Sequence, residues 1–359
     1  MPIVPPYVET LTPYLPGKPI EEVEREYGIS DVAKLASNEN PLGPSPRAMA
    51  AAREAMAQVN LYPDGSAFFL KRALARKLGT TPEEIVVGNG SNEVLELMVR
   101  TFMGPDDETL TSANSFVVYK LATSAHGRRC VEAPMRDHRY DLDAIAERLS
   151  PRTRLVFLAN PDNPNGTWFG KAALERFLAA VPRPVLVVLD EAYIEYATDP
   201  DLPDALELRR RYPNLVVVRT FSKIYGLAGL RLGYGILRPD LAGYLDRVRE
   251  PFNTNLVAQA AGIAALGDEE HVARTRQLVA SERPFLSQEL SALGAVVYPS
   301  QTNFVLADFP GRPGPQLFEA LLRQGVVVRP IGGPTCQRIT LGTRAENQKL
   351  LGALRKALR

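Results

Sequence analysis

Lys223 lies in a loop of small and hydroxyl-bearing residues that runs from Thr220 to Arg231 (TFSKIYGLAGLR), directly after an apolar run at 214–219. Small residues allow the backbone to approach a ligand closely. The hydroxyls of Thr220 and Ser222 and the cation Arg231 suit a phosphate dianion. A lysine amine whose pKa is lowered by its neighbours can form a Schiff base with a carbonyl compound. A surface lysine on a glycine-rich loop is the alternative interpretation of this segment alone.

Asp190 ends the most apolar run of the chain, 184–190, and Tyr193 follows three residues later. An ionised aspartate is rarely fully buried without a partner. The position therefore predicts a cation or a proton donor beside the carboxylate, for which a protonated pyridine nitrogen is suitable, and Tyr193 can reach the same ligand. An aspartate that caps the start of a helix is the alternative.

Two further segments follow apolar runs. Asn160–Gly166 (NPDNPNG) is dense in asparagine and proline, which form rigid turns, and Asn163 can present its amide to a ligand hydroxyl. Gly88–Asn92 (GNGSN) precedes a helical pattern that begins near Ser91, and a helix N-terminus after glycines is suited to bind an anion. Each segment by itself also fits a plain connecting turn.

The elements that must position these residues alternate between apolar runs and helical patterns. This order predicts a mostly parallel, doubly wound α/β sheet of seven strands. A closed eightfold barrel is the alternative, but it requires eight regular units. The seven apolar runs are 84–88, 108–113, 128–133, 154–159, 184–190, 214–219 and 232–237.

Three regions are predicted along the chain. Residues 1–35 are rich in proline and form an N-terminal arm, and residues 36–254 form the large domain. Residues 255–359 form a smaller α+β domain with a long helical region at 255–293, three short strands and a final helix. In open α/β sheets ligands bind beyond the carboxyl ends of the strands, so we expect the four segments to meet there.

Composition excludes several classes of protein. The 359 residues carry 42 Lys and Arg against 41 Asp and Glu, and this balance argues against a nucleic-acid-binding protein. No secretory signal or membrane span is predicted. The two cysteines favour a reducing, cytoplasmic location. The three scattered histidines predict no zinc site and disfavour a Ser-His-Asp hydrolase.

Together the segments occur in the order glycine loop, Asn-Pro turn, Asp190 and Lys223 loop. In this order the chain resembles the fold type I enzymes of the aspartate aminotransferase superfamily, which use pyridoxal 5′-phosphate. More narrowly, it is similar to the histidinol-phosphate aminotransferases. The resemblance covers nearly the whole chain and includes Ala36–Ser45 (ASNENPLGPS), Leu61–Asp64 (LYPD) and Arg338–Thr343 (RITLGT).

The resemblance implies a role for each matching residue. Lys223 would hold the cofactor covalently and then carry a proton, Asp190 would pair with the pyridine N–H⁺, and Tyr193 would bind the ring 3′-oxygen. Tyr62 would reach the cofactor phosphate of the neighbouring subunit, which implies a homodimer with shared active sites. The residues assigned in this way to cofactor binding are Ser91, Asn92, Phe116, Asn163, Asp190, Tyr193, Thr220, Ser222, Lys223, Arg231 and Tyr62.

For the substrates, the resemblance assigns Arg338 to the carboxylate of glutamate. Arg329 and Tyr14 are assigned to the phosphate of histidinol phosphate, and Asn40 also to substrate binding. The chain departs from the pattern at Asp162 and Asn165, where relatives often have Asn and Thr. It also departs at Leu42, Leu61 and Asn92, where Tyr, Arg and Asp are frequent.

The resemblance implies a ping-pong transaminase that uses glutamate and imidazole-acetol phosphate, with no metal, nucleic acid or membrane partner. Three alternatives remain open at this point. They are an aminotransferase for aromatic or other amino acids, a decarboxylase that acts on an amino-acid phosphate, and a non-catalytic α/β binding module.

Overall fold

The computed structural model describes residues 3–13 and 17–359. The strands are β1 (Ala33–Lys34), β2 (Ile85–Asn89), β3 (Glu108–Ser112), β4 (Arg129–Ala133), β5 (Met135–Arg136), β6 (Arg139–Tyr140), β7 (Thr153–Ala159), β8 (Leu186–Asp190), β9 (Leu215–Thr220), β10 (Leu232–Ile236), β11 (Val296–Val297), β12 (Phe304–Asp308), β13 (Val326–Val327) and β14 (Cys336–Thr340).

The helices lie between these strands. They are α1 (Pro6–Glu9), α2 (Ile20–Tyr27), α3 (Pro46–Ala55), α4 (Phe68–Leu78), α5 (Ser91–Phe102), α6 (Val118–Ala125), α7 (Leu142–Ala146), α8 (Lys171–Ala180), α9 (Ala205–Arg211), α10 (Pro239–Val248), α11 (Leu256–Leu266), α12 (Glu269–Ala292), α13 (Gly314–Leu322) and α14 (Arg344–Ala357). Short 3-10 turns occur at Met56–Gln58, Pro82–Glu84, Ile194–Tyr196 and Ala228–Leu230.

The seven predicted apolar runs form one seven-stranded sheet in the order β2-β10-β9-β8-β7-β3-β4. Strands β4, β3, β7, β8 and β9 pair in parallel, while β10 is antiparallel to both of its neighbours. Most of the side chains of β7, β8 and β9 are buried, as expected for a sheet that is covered on both faces. The predicted α/β fold, with a mostly parallel doubly wound sheet, is confirmed.

The antiparallel direction of β10 affects the position of the lysine loop. The loop at 221–231 connects β9 to the adjacent β10, with Thr220 opposite Gly233 in the register. The loop therefore starts and ends at the same edge of the sheet, where β7 and β8 also end. This edge is where ligands are expected in an open α/β sheet.

The C-terminal part contains a three-stranded sheet in the order β11-β12-β14. Strand β1, from the N-terminal region, pairs in parallel with β13. Helix α11 packs against α3 and α4 of the large domain, with Gly262 close to Leu70 and Leu232. The predicted boundaries at 35/36 and 254/255 remain a prediction.

Over residues 3–13 and 17–359, no helix combines the length and the apolar character that a membrane crossing requires. The two cysteines, Cys130 and Cys336, are not paired with each other.

Candidate active site

A cavity of about 520 Å³ lies at the carboxyl edge of the large sheet. Its volume falls within the range of ordinary small-molecule sites. It brings together most of the residues predicted from the sequence. Those that line it are Ser91, Asn92, Phe116, Asn163, Asp190, Tyr193, Thr220, Ser222, Lys223, Arg231, Arg329 and Arg338.

Asp190 is buried at the end of β8, where its carboxylate accepts two hydrogen bonds. Tyr119 donates its hydroxyl to Oδ2 at 2.9 Å, and the backbone N–H of Ala192 donates to Oδ1 at 3.1 Å. Burial raises the pKa of Asp190 to about 6, although both hydrogen bonds favour the charged form. Near pH 7 the cavity therefore contains a buried carboxylate that is suited to pair with a cationic N–H.

Lys223 directs its amine into the same cavity. Its Nζ donates to the backbone carbonyl of Ser37 at 3.1 Å and lies 5.8 Å from the centre of the Tyr193 ring. Burial, together with the positive charge of Arg338, lowers the pKa of Lys223 to about 8. A larger fraction of the amine is thus neutral near pH 7 than in an exposed lysine, and the neutral amine is the nucleophile.

The start of α5 and Arg231 form an end of the cavity that is suited to an anion. Gly90 at the N-cap has a φ of 82°, and no side chain caps this helix. A Cβ at Gly90 would collide with the guanidinium of Arg231, so glycine permits this close approach. Arg231 Nη1 also lies 3.4 Å from the hydroxyl of Ser222. Backbone N–H groups, a guanidinium and a hydroxyl together suit a phosphate.

Two arginines from the C-terminal part supply further positive charge. Arg329 and Arg338 are paired across an antiparallel β-bridge, with backbone hydrogen bonds of 3.1 and 2.7 Å. Arg338 Nη1 donates to Asn163 Oδ1 at 2.6 Å, which connects the Asn-Pro turn to β14. Two guanidinium groups in one cavity favour an anionic substrate group.

The donor set fits pyridoxal 5′-phosphate. Asp190 is suited to pair with a protonated ring nitrogen, and the amine of Lys223 is suited to react with a carbonyl carbon. The anion site at Gly90 and Arg231 is suited to a phosphate. Phe116 and Ala192 supply apolar lining for a flat ring. In the described part of the chain, no group of three or more His, Cys, Asp or Glu side chains is placed to hold a metal ion.

Two of the predicted residues that the structure describes do not line the cavity. Tyr62 is on the surface, with 81% of its side chain exposed, and stacks on Phe252 at 4.7 Å. Asn40 is buried and donates to the carbonyl of Ile224 at 2.9 Å, so it supports the lysine loop from outside the cavity. Tyr14 lies outside the described residues. The roles predicted for all three remain predictions.

Tyr119 and Asn38 also hold site residues directly, although neither was predicted from the sequence. Tyr119 donates to Asp190, and Asn38 Nδ2 donates to the Tyr193 hydroxyl at 2.9 Å. Tyr119 is three residues after Phe116, which precedes α6, and the two rings pack edge to face with their centres 5.5 Å apart. Asn38 is 155 positions from Tyr193, and no local pattern indicates that contact.

Comparison with known proteins gives a consistent result. Residues 30–354 match the family model "Aminotransferase class I and II". The chain is 67% identical to the histidinol-phosphate aminotransferase of Anaeromyxobacter sp. over the full length of both proteins. It is 48% identical to that of Moorella thermoacetica, over 97% of this chain and 91% of the relative.

A solved structure of the Sinorhizobium meliloti histidinol-phosphate aminotransferase in complex with pyridoxal 5′-phosphate superposes with a TM-score of 0.92 at 33% identity. It covers 100% of this chain and 98% of the other. An aspartate aminotransferase mutant of Thermus thermophilus has the same fold, with a TM-score of 0.85 at 23% identity and coverage of 99% and 100%.

Proposed function

The chain belongs to the class I and II aminotransferases and, within them, to the histidinol-phosphate aminotransferases, and on this premise we propose the reaction and the residues that carry it. The reaction moves an amino group between L-glutamate and imidazole-acetol phosphate, forming 2-oxoglutarate and histidinol phosphate, and it is reversible. One observation supports it above the others. A single cavity contains a partly buried amine, a buried carboxylate and two arginines from a separate part of the chain.

The cofactor, when bound, accepts the amino group and withdraws electrons from the substrate carbon that loses its proton. Asp190 keeps the ring nitrogen protonated, because an ionised carboxylate stabilises an adjacent cation in a low-dielectric site. Lys223 provides the amine that holds the cofactor and then carries the proton from the substrate carbon. Tyr193, whose hydroxyl accepts from Asn38 Nδ2, would donate to the ring 3′-oxygen.

Arg338 and Arg329 discriminate between the two substrates in this proposal. Arg338 pairs with the carboxylate of glutamate, which a planar guanidinium binds with two parallel hydrogen bonds. Histidinol phosphate has no carboxylate, and its phosphate is assigned to Arg329 at the same end of the cavity. Because both arginines line the cavity, the site can accept either the carboxylate of glutamate or the phosphate of histidinol phosphate.

Replacement of Arg329 by alanine is expected to lower kcat/KM for histidinol phosphate about 10- to 100-fold, because a charge-assisted hydrogen bond contributes about 1.5–3 kcal/mol. kcat/KM for glutamate should change by less than about threefold, since Arg338 is retained. The measurement is steady-state kinetics with an amino-donor panel of histidinol phosphate, phenylalanine, threonine phosphate and glutamate.

The matched control is Arg323→Ala, which removes an exposed arginine that pairs with Glu319 on α13. It should leave both values unchanged. Equal use of phenylalanine and histidinol phosphate by the wild-type enzyme would reject the proposed specificity. Release of carbon dioxide from threonine phosphate would instead indicate a decarboxylase.

The proposed partner is a second copy of this chain. Exposed apolar side chains concentrate at 56–69 and at Phe252, whose ring stacks on that of Tyr62 with the ring centres 4.7 Å apart. Exposed apolar surface of this kind is typical of protein interfaces. The exposed apolar side chains are Met56, Val59, Leu61, Tyr62, Phe68, Phe69 and Phe252.

Substitution of Tyr62 by phenylalanine is expected to weaken cofactor binding about tenfold while the protein remains dimeric. The hydroxyl is the only group removed, so the apolar interface stays intact while one hydrogen bond to the partner's cofactor phosphate is lost. The measurements are the cofactor dissociation constant and sedimentation velocity. Tyr244→Phe, at another exposed tyrosine, is the control. A wild-type protein that sediments as a monomer would contradict the proposal.

We also propose that the protein is located in the cytoplasm. Two cysteines that form no disulfide with each other are consistent with a reducing compartment.

A further inference from the structure

Asp162 is a buried carboxylate next to the cavity that does not line it. Only 1% of the residue is exposed. Ser115 donates its hydroxyl to Oδ1 at 3.0 Å, and Asn165 donates its amide to Oδ2 at 2.5 Å. The backbone N–H groups of Asn163 and Asn165 also favour the ionised form, although burial raises the pKa of Asp162 to about 7. The four neighbouring groups therefore all serve as donors to this carboxylate.

The carboxylate connects two segments that carry predicted cofactor contacts. Ser115 immediately precedes Phe116, which lines the cavity. Asp162 immediately precedes Asn163, which lines the cavity and accepts from Arg338. These segments are otherwise distant in sequence, so the carboxylate sets the spacing between Phe116 and Asn163.

The orientation of Asn165 is fixed by its own partners. Its Nδ2 faces two oxygens, Asp162 Oδ2 and the backbone carbonyl of Asn114 at 3.2 Å. Its Oδ1 lies 3.2 Å from His138 Nδ1. A flipped amide would place an oxygen against two oxygens, so the network itself assigns the donor position.

We propose that Asp162 is a positioning residue for the cofactor and that its side chain and that of Asn165 function as a matched pair. The carboxylate holds the Phe116 segment and the Asn163 turn at the spacing that the cofactor ring requires. Asp162 and Asn165 are hydrogen-bonded to each other within the Asn-Pro turn.

An amide at position 162 cannot satisfy the same neighbours. If its NH₂ group faces Asn165, two donors oppose each other. If it faces Ser115, that hydroxyl must turn to Tyr140, which already accepts from the backbone N–H of Ala159 at 3.2 Å. The first orientation opposes two buried donors and the second reverses the Ser115–Tyr140 hydrogen bond, so both are unfavourable.

A threonine at position 165 removes this conflict. Its hydroxyl can accept from the amide at position 162 and donate to the carbonyl of Asn114. Asp162→Asn is therefore expected to be harmful alone and tolerated together with Asn165→Thr. Asn165→Thr alone should be mild, because the hydroxyl can still donate to the carboxylate.

The test measures the dissociation constant of pyridoxal 5′-phosphate and the Tm of the cofactor-free chain for the full-length protein. Asp162→Asn is expected to raise the dissociation constant about tenfold, equivalent to about 1.4 kcal/mol. Asn165→Thr and the double variant should stay within about threefold of the wild type, because each leaves every buried donor with a partner. A double-mutant cycle gives the coupling directly.

Glu282→Gln is the matched control. Glu282 is also buried and accepts from an asparagine amide, that of Asn347 at 2.8 Å, but it is in the C-terminal part and does not line the cavity. This variant should lower Tm without changing cofactor affinity. If Asp162→Asn behaves like Glu282→Gln, the carboxylate has only a structural role and the proposal is wrong.

Absence of rescue in the double variant would also overturn the matched-pair inference. The inference depends on cofactor binding in the proposed function and not on the identity of the substrate. Failure of the wild-type chain to bind the cofactor would contradict the proposed function. Normal wild-type binding with unaffected variants would contradict this inference alone.

Discussion

Lys223→Ala is expected to lower kcat for transamination by about 10³-fold or more, because the variant loses both the amine that holds the cofactor and the general base that carries the proton. The cavity supplies no substitute in the described part of the chain, since Lys223 is the only lysine that lines it. Cofactor binding should persist, as Arg231 and the start of α5 are unchanged. The measurements are turnover and borohydride reduction followed by mass spectrometry of the peptide that contains position 223.

Two controls separate charge from nucleophilicity. Lys223→Arg keeps a cation and should be as inactive as Lys223→Ala, whereas Lys356→Ala on the exposed side of α14 should be fully active. In the wild type, covalent uptake of the cofactor should rise between pH 6 and pH 8, since the pKa of Lys223 is lowered to about 8. Full turnover in Lys223→Ala would falsify the assignment of the lysine.

Asp190→Asn is expected to reduce kcat by about 10²-fold or more. Removing one partner of a buried ion pair leaves the other charge without a counter-charge, which costs about 3–5 kcal/mol. The amide has nearly the shape of the carboxylate, and Tyr119 and Ala192 remain in place. The spectrum of the bound cofactor should shift toward that of an unprotonated ring. The measurements are kcat and cofactor absorbance as a function of pH.

The same variant should remove a pH-dependent loss of stability from the cofactor-free protein. Burial raises the pKa of Asp190 from 3.8 to about 6. Ionised Asp190 therefore destabilises the fold above pH 6, on the order of 2–3 kcal/mol, and this effect disappears as pH falls below about 4. The Tm difference between the wild type and the variant should change in favour of the variant as pH rises from 4 to 6. No such change would contradict a site in which the carboxylate is retained for function at the expense of stability.

The central sheet was predictable because its strands are buried on both faces. Runs such as 155–159 and 215–218 are continuously apolar, which distinguishes them from the helical patterns between them. The pairing of β1 with β13 was not predicted. Each of these strands has only two residues, so neither gives a periodic signal, and their pairing depends on the docking of distant parts of the chain.

The meeting of Asp190 and Lys223 in one cavity was predictable, since the topology brings the carboxyl ends of parallel strands to one edge. Position and chemistry alone left their roles open, and the family resemblance supplied them. Contacts that hold these residues were not predictable. Asn38 with Tyr193 and Ser37 with Lys223 connect positions more than 150 residues apart, and such pairs leave no pattern in a single sequence.

The two ends of the cavity also differ in how far apart their components lie along the chain. Ser222 and Arg231 are separated by nine positions within the loop between the antiparallel neighbours β9 and β10, whereas Asn163 and Arg338 are separated by 175. Short loops close early and long ones late, because the entropy lost on closure grows with loop length. The Ser222–Arg231 contact within this loop should therefore form first during folding. It should also persist in denaturant after Arg338 has separated from the Asn-Pro turn.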